Sequence, residues 1–171
     1  MSQHVCASLR IKLFNSTVLS VLLYGLSSLT LKPVHHSMLR GARTKMLRNM
    51  AGWRRLEGES WAVTMHRMRL RVEALQSTTS SPDVSEQLFS LKWRLAKRLF
   101  TNAACEKWAP SLVRLESAHQ RSRGRPPLQW EDDLKNFFES SGENSFQAAL
   151  RKPELEKKYV EHCMQKLISN S

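Results

Sequence analysis

The residue types best placed for chemistry are Trp130-Glu131-Asp132-Asp133, an aromatic side chain followed by carboxylates. Adjacent carboxylates offer hard oxygen ligands to magnesium ions, and enzymes that join nucleotides use such ions to position a triphosphate. That use places the acids on a tight hairpin between apolar strands. Here they follow Pro126-Pro127-Leu128 and open a helical pattern, where acids favourably meet the positive end of the helix dipole. The tetrapeptide therefore reads as a helix start. His4, His35, His36, His66, His119 and His162 never fall at metal-ligand spacing with Cys6, Cys105 and Cys163. No Gly-x-Ser-x-Gly nucleophile and no Gly-x-x-x-x-Gly-Lys phosphate loop occurs. No catalytic residue, metal site or cofactor is assigned.

Two other features point to recognition of a polyanion. Arg123-Gly124-Arg125-Pro126 has the form of an AT-hook core, in which an extended Arg-Gly-Arg lies along the narrow minor groove of A·T-rich DNA. The same residues also read as a solvated basic linker. Trp53, Trp61, Trp93, Trp108 and Trp130 lie within or beside basic segments, where an indole can stack an unpaired base while neighbouring cations hold phosphates. Trp53, between Gly52 and Arg54-Arg55 and outside a clear apolar stripe, is the stacking candidate.

The bulk charge agrees. The chain of 171 residues carries 27 Lys plus Arg against 15 Asp plus Glu, a formal +12. Residues 32–71 hold ten basic and two acidic side chains and residues 91–125 hold nine and two, so the positive field sits in the middle of the chain. Three scattered cysteines give no disulfide framework, which fits a reducing intracellular compartment, nuclear or cytoplasmic. Leu13 to Leu31 is uncharged and just long enough to span a bilayer, but its Ser and Thr residues interrupt it, and a buried helix explains it better than a membrane segment.

These side chains must be positioned by helices, because apolar residues recur at helical spacing and alternating strand-like runs are missing. The expected class is all-α: a small irregular helical bundle with a basic extended arm and a C-terminal helical segment. The first helix, about Ser8 to Tyr24, is apolar on nearly every side and reads as the core helix, ended by Gly25 and Pro33. A second, about Ser37 to Met50, turns Met38, Leu39, Ala42, Met46, Leu47 and Met50 inward, leaves Arg40, Arg43, Lys45 and Arg48 largely outside, and stops at Gly52. A third, about Trp61 to Leu75, carries Met65, Met68, Val72 and Leu75 on one stripe. Gln76 to Asp83 is a polar linker candidate. The fourth helix, about Ser85 to Lys107, has Leu88, Leu91, Leu95 and Leu99 as its stripe, Phe89, Trp93, Ala96 and Phe100 alongside, and Lys92, Arg94, Lys97 and Arg98 on the remainder. Arg121 to Pro127 reads as an extended arm, because Gly and Pro prevent regular structure. Short helices follow at Trp130 to Glu139, Ser145 to Leu150 and Pro153 to Ile168. The divisions are a helical region 1–76, a linker 77–84, a basic helical region 85–120, an arm 121–129 and C-terminal helices 130–171.

The tract Ile11-Lys12-Leu13-Phe14-Asn15-Ser16-Thr17-Val18-Leu19-Ser20-Val21-Leu22-Leu23-Tyr24-Gly25 resembles the segment after the palm in reverse transcriptases of non-LTR retrotransposons. That family follows it with a Ser/Glu-Thr-Trp-Thr-Leu tract, where this chain has Leu26-Ser27-Ser28-Leu29-Thr30-Leu31 without the Trp. Leu39 to Gly52 resembles its helix of mixed Leu and Arg ending in Gly, and Gly124-Arg125-Pro126-Pro127-Leu128-Gln129-Trp130 matches its Gly-Arg-Pro-x-x-x-Trp tract. Order and rough spacing agree across residues 8–134, and residues 135–171 carry no match. The resemblance implies that the first 75 or so residues are similar to a polymerase thumb, which grips a primer and template duplex by its backbones. The catalytic palm would lie upstream and is not in this chain.

Three functions follow as expectations. The first is a truncated RNA-directed DNA polymerase that keeps nucleic-acid backbone binding without synthesis. The second is a free-standing basic DNA-binding or architectural protein working through its arm. The third is a helical module that docks on another polypeptide. The expected contacts to RNA, DNA or an RNA·DNA hybrid are Arg40, Arg43, Lys45, Arg48, Trp53, Arg54, Arg55, Arg121, Arg123 and Arg125. An absent palm domain is a further expected partner, and a membrane is not one.

Overall fold

A computed structural model describes residues 6–79, 83–101, 129–143 and 145–169, and all regular structure among them is helical. The elements are α1 (Ala7–Phe14), a π-helical turn (Asn15–Leu19), α2 (Ser20–Leu23), a 3-10 turn (Leu26–Ser28), α3 (Pro33–Met50), α4 (Trp61–Thr79), α5 (Val84–Thr101), α6 (Asp132–Ser141), α7 (Phe146–Arg151) and α8 (Pro153–Ser169). The chain divides into two compact units: Met1–Tyr24 with Val34–Val84, and Gly25–Pro33 with Ser85–Ser171.

In the first unit α1 packs on α4. The π-helical turn has a local cause. Ser16 and Thr17 hydroxyls both donate to the Leu13 carbonyl, at 3.1 and 2.6 Å, and Ser20 Oγ donates to the Asn15 carbonyl five residues back at 3.2 Å. Hydroxyls that bond back in this way compete with the regular backbone ladder and loosen it. The expected core helix is buried on one side only. Ile11, Phe14, Leu19 and Leu23 are covered, whereas Leu9, Leu13, Val18 and Val21 are exposed. Leu9–Ser28 is long and apolar enough, by length and composition, to cross a membrane, and 22% of its most apolar stretch is buried.

The buried stripe of α3 also differs from expectation. His36, Arg43 and Leu47 are buried and Met38 is exposed, so the helix is turned by less than one residue's step of about 100° from the face that hydrophobicity alone selects. On α4 the buried residues are Thr64, Met68 and Val72, close to the expected stripe. The polar linker is shorter than expected, because α4 continues through Thr79.

The second unit owns the dense core. Trp93 of α5 is 1% exposed and sits 6.2 Å from the Phe137 ring, 5.6 Å from Phe138 and 5.3 Å from Tyr159, measured between centroids. Truncating such a residue to Ala costs about 3 to 5 kcal/mol. α5 presents Ser85, Leu88, Phe89, Lys92, Trp93, Ala96 and Phe100 to the interior, with Leu95 and Leu99 packed at its margin and Leu91 exposed, so the core face is centred on the aromatic row. Gly142, in a left-handed conformation at φ 68°, ends α6. Ser145 caps α7 by accepting from the Ala148 amide at 3.4 Å. α8 starts on Pro153 with Glu154 and Glu156 in its first turn, where the dipole favours acids. α6 begins at Asp132, two residues later than Trp130, because the Asp132 carboxylate accepts from the Gln129 amide at 2.6 Å and forms a turn ahead of the helix.

Candidate nucleic-acid interface

Nine basic residues and no acidic one precede Glu57 in the chain. Side chains of this stretch that reach solvent therefore contribute a positive surface that no acid of the stretch itself offsets. On α3, Lys45 lies opposite the buried stripe and is exposed, and Arg40 and Arg48 flank the stripe and are half-buried. Their Nε atoms are buried without a hydrogen-bond partner among the described residues.

Arg43 corrects the expectation that all four α3 cations face outward. It is 4% exposed, with Nη1 4.0 Å from Asp83 Oδ1. Burial pulls its guanidinium below the usual value, and the charge of Asp83 acts in the opposite direction. Its long aliphatic stem lets it occupy an apolar stripe. It is therefore not one of the exposed cations of this surface.

The segment between α3 and α4 carries the rest. Gly52, at φ 75°, ends α3 as expected, and Gly58, also at 75°, closes a turn in which the Glu59 amide donates to the Leu56 carbonyl at 3.2 Å. Glu59 is the hub of this segment. Its carboxylate accepts from Arg67 Nε at 2.9 Å, Arg67 Nη2 at 2.8 Å, Thr64 Oγ1 at 2.8 Å and the Leu56 amide at 3.3 Å. Arg67 Nη2 also donates to the Arg54 carbonyl at 2.7 Å, and Arg55 Nε donates to the Glu59 carbonyl at 3.0 Å. The bonds from Arg67 and Thr64 hold the Glu59 carboxyl down to about 2. So pinned, the segment exposes Arg54, Arg55 and Trp53, and brings Trp53 beside Trp61 with ring centroids 6.0 Å apart.

Sequence reasoning selected Trp53, Arg54 and Arg55 but missed Trp61, Glu59 and Arg67. Glu59 precedes α4, which begins at Trp61, and Arg67 lies within it, so the pair forms by the chain folding back onto the helix and no helical spacing announces it. Arg121, Arg123 and Arg125, with the whole Arg-Gly-Arg arm, lie outside the described residues.

The acidic tetrapeptide lies in the second unit, and each of its carboxylates is engaged. Asp133 accepts from Lys92 Nζ at 2.7 and 2.8 Å through its two oxygens, and from the Tyr159 hydroxyl at 2.9 Å. Glu131, 3% exposed, pairs with Lys135 at 2.8 Å. Trp130 Nε1 donates to the Ser27 carbonyl at 2.7 Å, and Lys92 Nζ lies 5.0 Å from the Trp130 ring centre. Lys92, expected on the charged surface, is thus a buried ion-pair partner. Burial, and then the Asp133 charge, push the Tyr159 hydroxyl well above its ordinary value and the Cys163 thiol up to about 12. Neither is an activated nucleophile at neutral pH. Among the described residues no group of three or more His, Cys, Asp or Glu side chains could hold a metal ion.

No family model, no curated protein and no solved structure matches the chain.

Proposed function

We propose that this chain is a nucleic-acid-binding piece of a reverse transcriptase of the non-LTR retrotransposon kind, similar to the thumb and the residues after it, which holds a backbone through phosphates and performs no synthesis itself. The observation that carries the reading is the outward placement of Lys45, Arg54 and Arg55 within a stretch that has no acid before Glu57. The ordered resemblance of residues 11–25, 39–52 and 124–130 supports the family, and the +12 charge supports a polyanionic partner.

The test is a salt titration of binding to an RNA·DNA hybrid and to an A·T-rich DNA duplex. A thumb-like grip favours the hybrid, whose shape is A-like, and the combined substitution Lys45→Ala, Arg54→Ala, Arg55→Ala flattens the logarithmic salt slope by about two to three units. A preference for A·T-rich DNA that depends on Arg123 and Arg125, with no effect of the triple variant, would replace this reading with the architectural one. Salt-independent binding, or none, would reject both.

A further inference from the structure

We propose that Trp53 and Trp61 form a stacking platform for one unpaired base of a single-stranded nucleic acid, with Arg54 and Arg55 on the flanking phosphates. The proposal rests on the phosphate-binding reading above and states what else the strand presents to this unit.

Exposure singles the pair out. Trp93 and Trp130 are 1% and 4% exposed, whereas Trp53 and Trp61 remain 42% and 58% exposed although they touch each other. Indoles are the most effective surfaces on which to stack a planar ligand, and they are left in water at a cost in apolar burial. The two rings are tilted by 53° at 6.0 Å. A base sandwiched between parallel rings needs about 7 Å, twice an ordinary carbon contact of about 3.5 Å. The separation is too small and the tilt too large for a sandwich. The base therefore stacks on the exposed face of one ring, and the second ring supports that ring from behind.

The support is rigid before a ligand arrives. Trp61 is the first residue of α4, and the backbone that carries Trp53 is fixed through the Arg67 bond to the Arg54 carbonyl and the Glu59 hub. A platform already ordered avoids the entropic cost of forming on binding. Charge then selects the ligand. Arg54 and Arg55 are exposed beside the rings, while the carboxylate of Glu59 is consumed by Arg67, Thr64 and the Leu56 amide. A quaternary or methylated ammonium, which aromatic pairs also bind, would be repelled by the guanidinium groups. A flat ring joined to phosphates satisfies both features. The base must be unpaired, because the faces of a stacked duplex are already covered.

The experiment uses the full chain and a labelled oligothymidylate of about 12 nucleotides, compared with a strand of equal phosphate number in which internal bases are replaced by abasic sugars. The intact strand binds more tightly by about 5- to 150-fold, the range that one stacked base gives. Trp53→Ala with Trp61→Ala abolishes that ratio and leaves the salt slope unchanged, whereas Trp53→Phe with Trp61→Phe keeps most of it. Arg54→Ala with Arg55→Ala flattens the slope and keeps the ratio. If the double alanine variant loses its helical signal, Trp61→Ala alone decides, since that side chain is the more exposed. Equal, salt-dependent binding of both strands overturns the platform and leaves the phosphate reading standing. A ratio that survives the alanine variants also overturns it. Salt-independent binding of both strands, or none, overturns the platform, and the hybrid titration described above then decides the phosphate reading by itself.

Discussion

Replacing Asp133 by Ala separates an anchor from a vacant metal ligand. The carboxylate sits under two hydrogen bonds from Lys92 and one from Tyr159, and the Lys92 side chain is 11% exposed. Removing one member of a buried ion pair leaves the other charge desolvated and unpaired, at a cost of about 3 to 5 kcal/mol. Asp133 itself is 32% exposed, so water partly reaches the site and the contribution from Lys92 falls to about 2 kcal/mol. The Tyr159 hydroxyl, almost fully buried, loses its acceptor and adds about 1 kcal/mol. Urea unfolding of the full chain, followed by helical circular dichroism and by indole fluorescence, should therefore show Asp133→Ala destabilised by about 3 kcal/mol. Adding Lys92→Met to that variant removes the orphaned charge, so the double variant should return to within about 1 kcal/mol of the parent. A loss below about 0.5 kcal/mol for Asp133→Ala, with no rescue by Lys92→Met, would refute the assignment of the carboxylate to the core of this unit.

Two further outcomes follow from the same geometry. Because burial and the Asp133 charge raise the Cys163 thiol to about 12, iodoacetamide at mildly alkaline pH should modify the exposed Cys6 and spare Cys163 until the chain is unfolded; peptide mass mapping that finds both alkylated at similar rates would contradict the burial. The Glu59 carboxyl lies at about 2 in the folded chain against an ordinary 4.5, so its contribution is complete above about 4.5 and is lost as pH falls through about 2. Indole proton signals of Trp53 and Trp61 should accordingly titrate with a midpoint near 2 and not near 4.5, and Glu59→Gln should abolish that titration.

The helices were legible because apolar residues recur at helical spacing while strand-like alternation is missing, and the faces were less so wherever a charged side chain completes the buried stripe. On α3 the hydrophobic residues alone select a face that includes Met38, yet Met38 is exposed and Arg43 is buried. Its ion-pair partner Asp83 lies forty residues away in sequence, which no local pattern reveals. Lys92 repeats the case, because its partners Asp133 and Trp130 come from beyond the end of α5. The apolar α1 misled for the opposite reason. Its composition favours burial on all sides, but a helix is buried only as far as neighbours cover it, and among the described residues Leu9, Leu13 and Val21 have none sufficient to do so.

The candidate interface shows the same division between what charge counting can and cannot give. A formal +12 gives a field that attracts polyanions, but salt dependence of binding would report only cations that reach phosphates. Of the six cationic candidates among the described residues, Lys45, Arg54 and Arg55 are exposed, Arg40 and Arg48 are half-buried, and Arg43 is spent inside the fold. Arg67, equally basic, is committed to Glu59 and to the Arg54 carbonyl, and so fixes where Arg54, Arg55 and Trp53 stand. Arginine in this unit thus has two physical uses that composition cannot separate: a solvated guanidinium that can exchange water for phosphate, and a paired one that shapes the backbone presenting it. The acid partners make the distinction, and Glu59 and Asp83, the residues that lower the net charge, are the ones that decide which cations remain available.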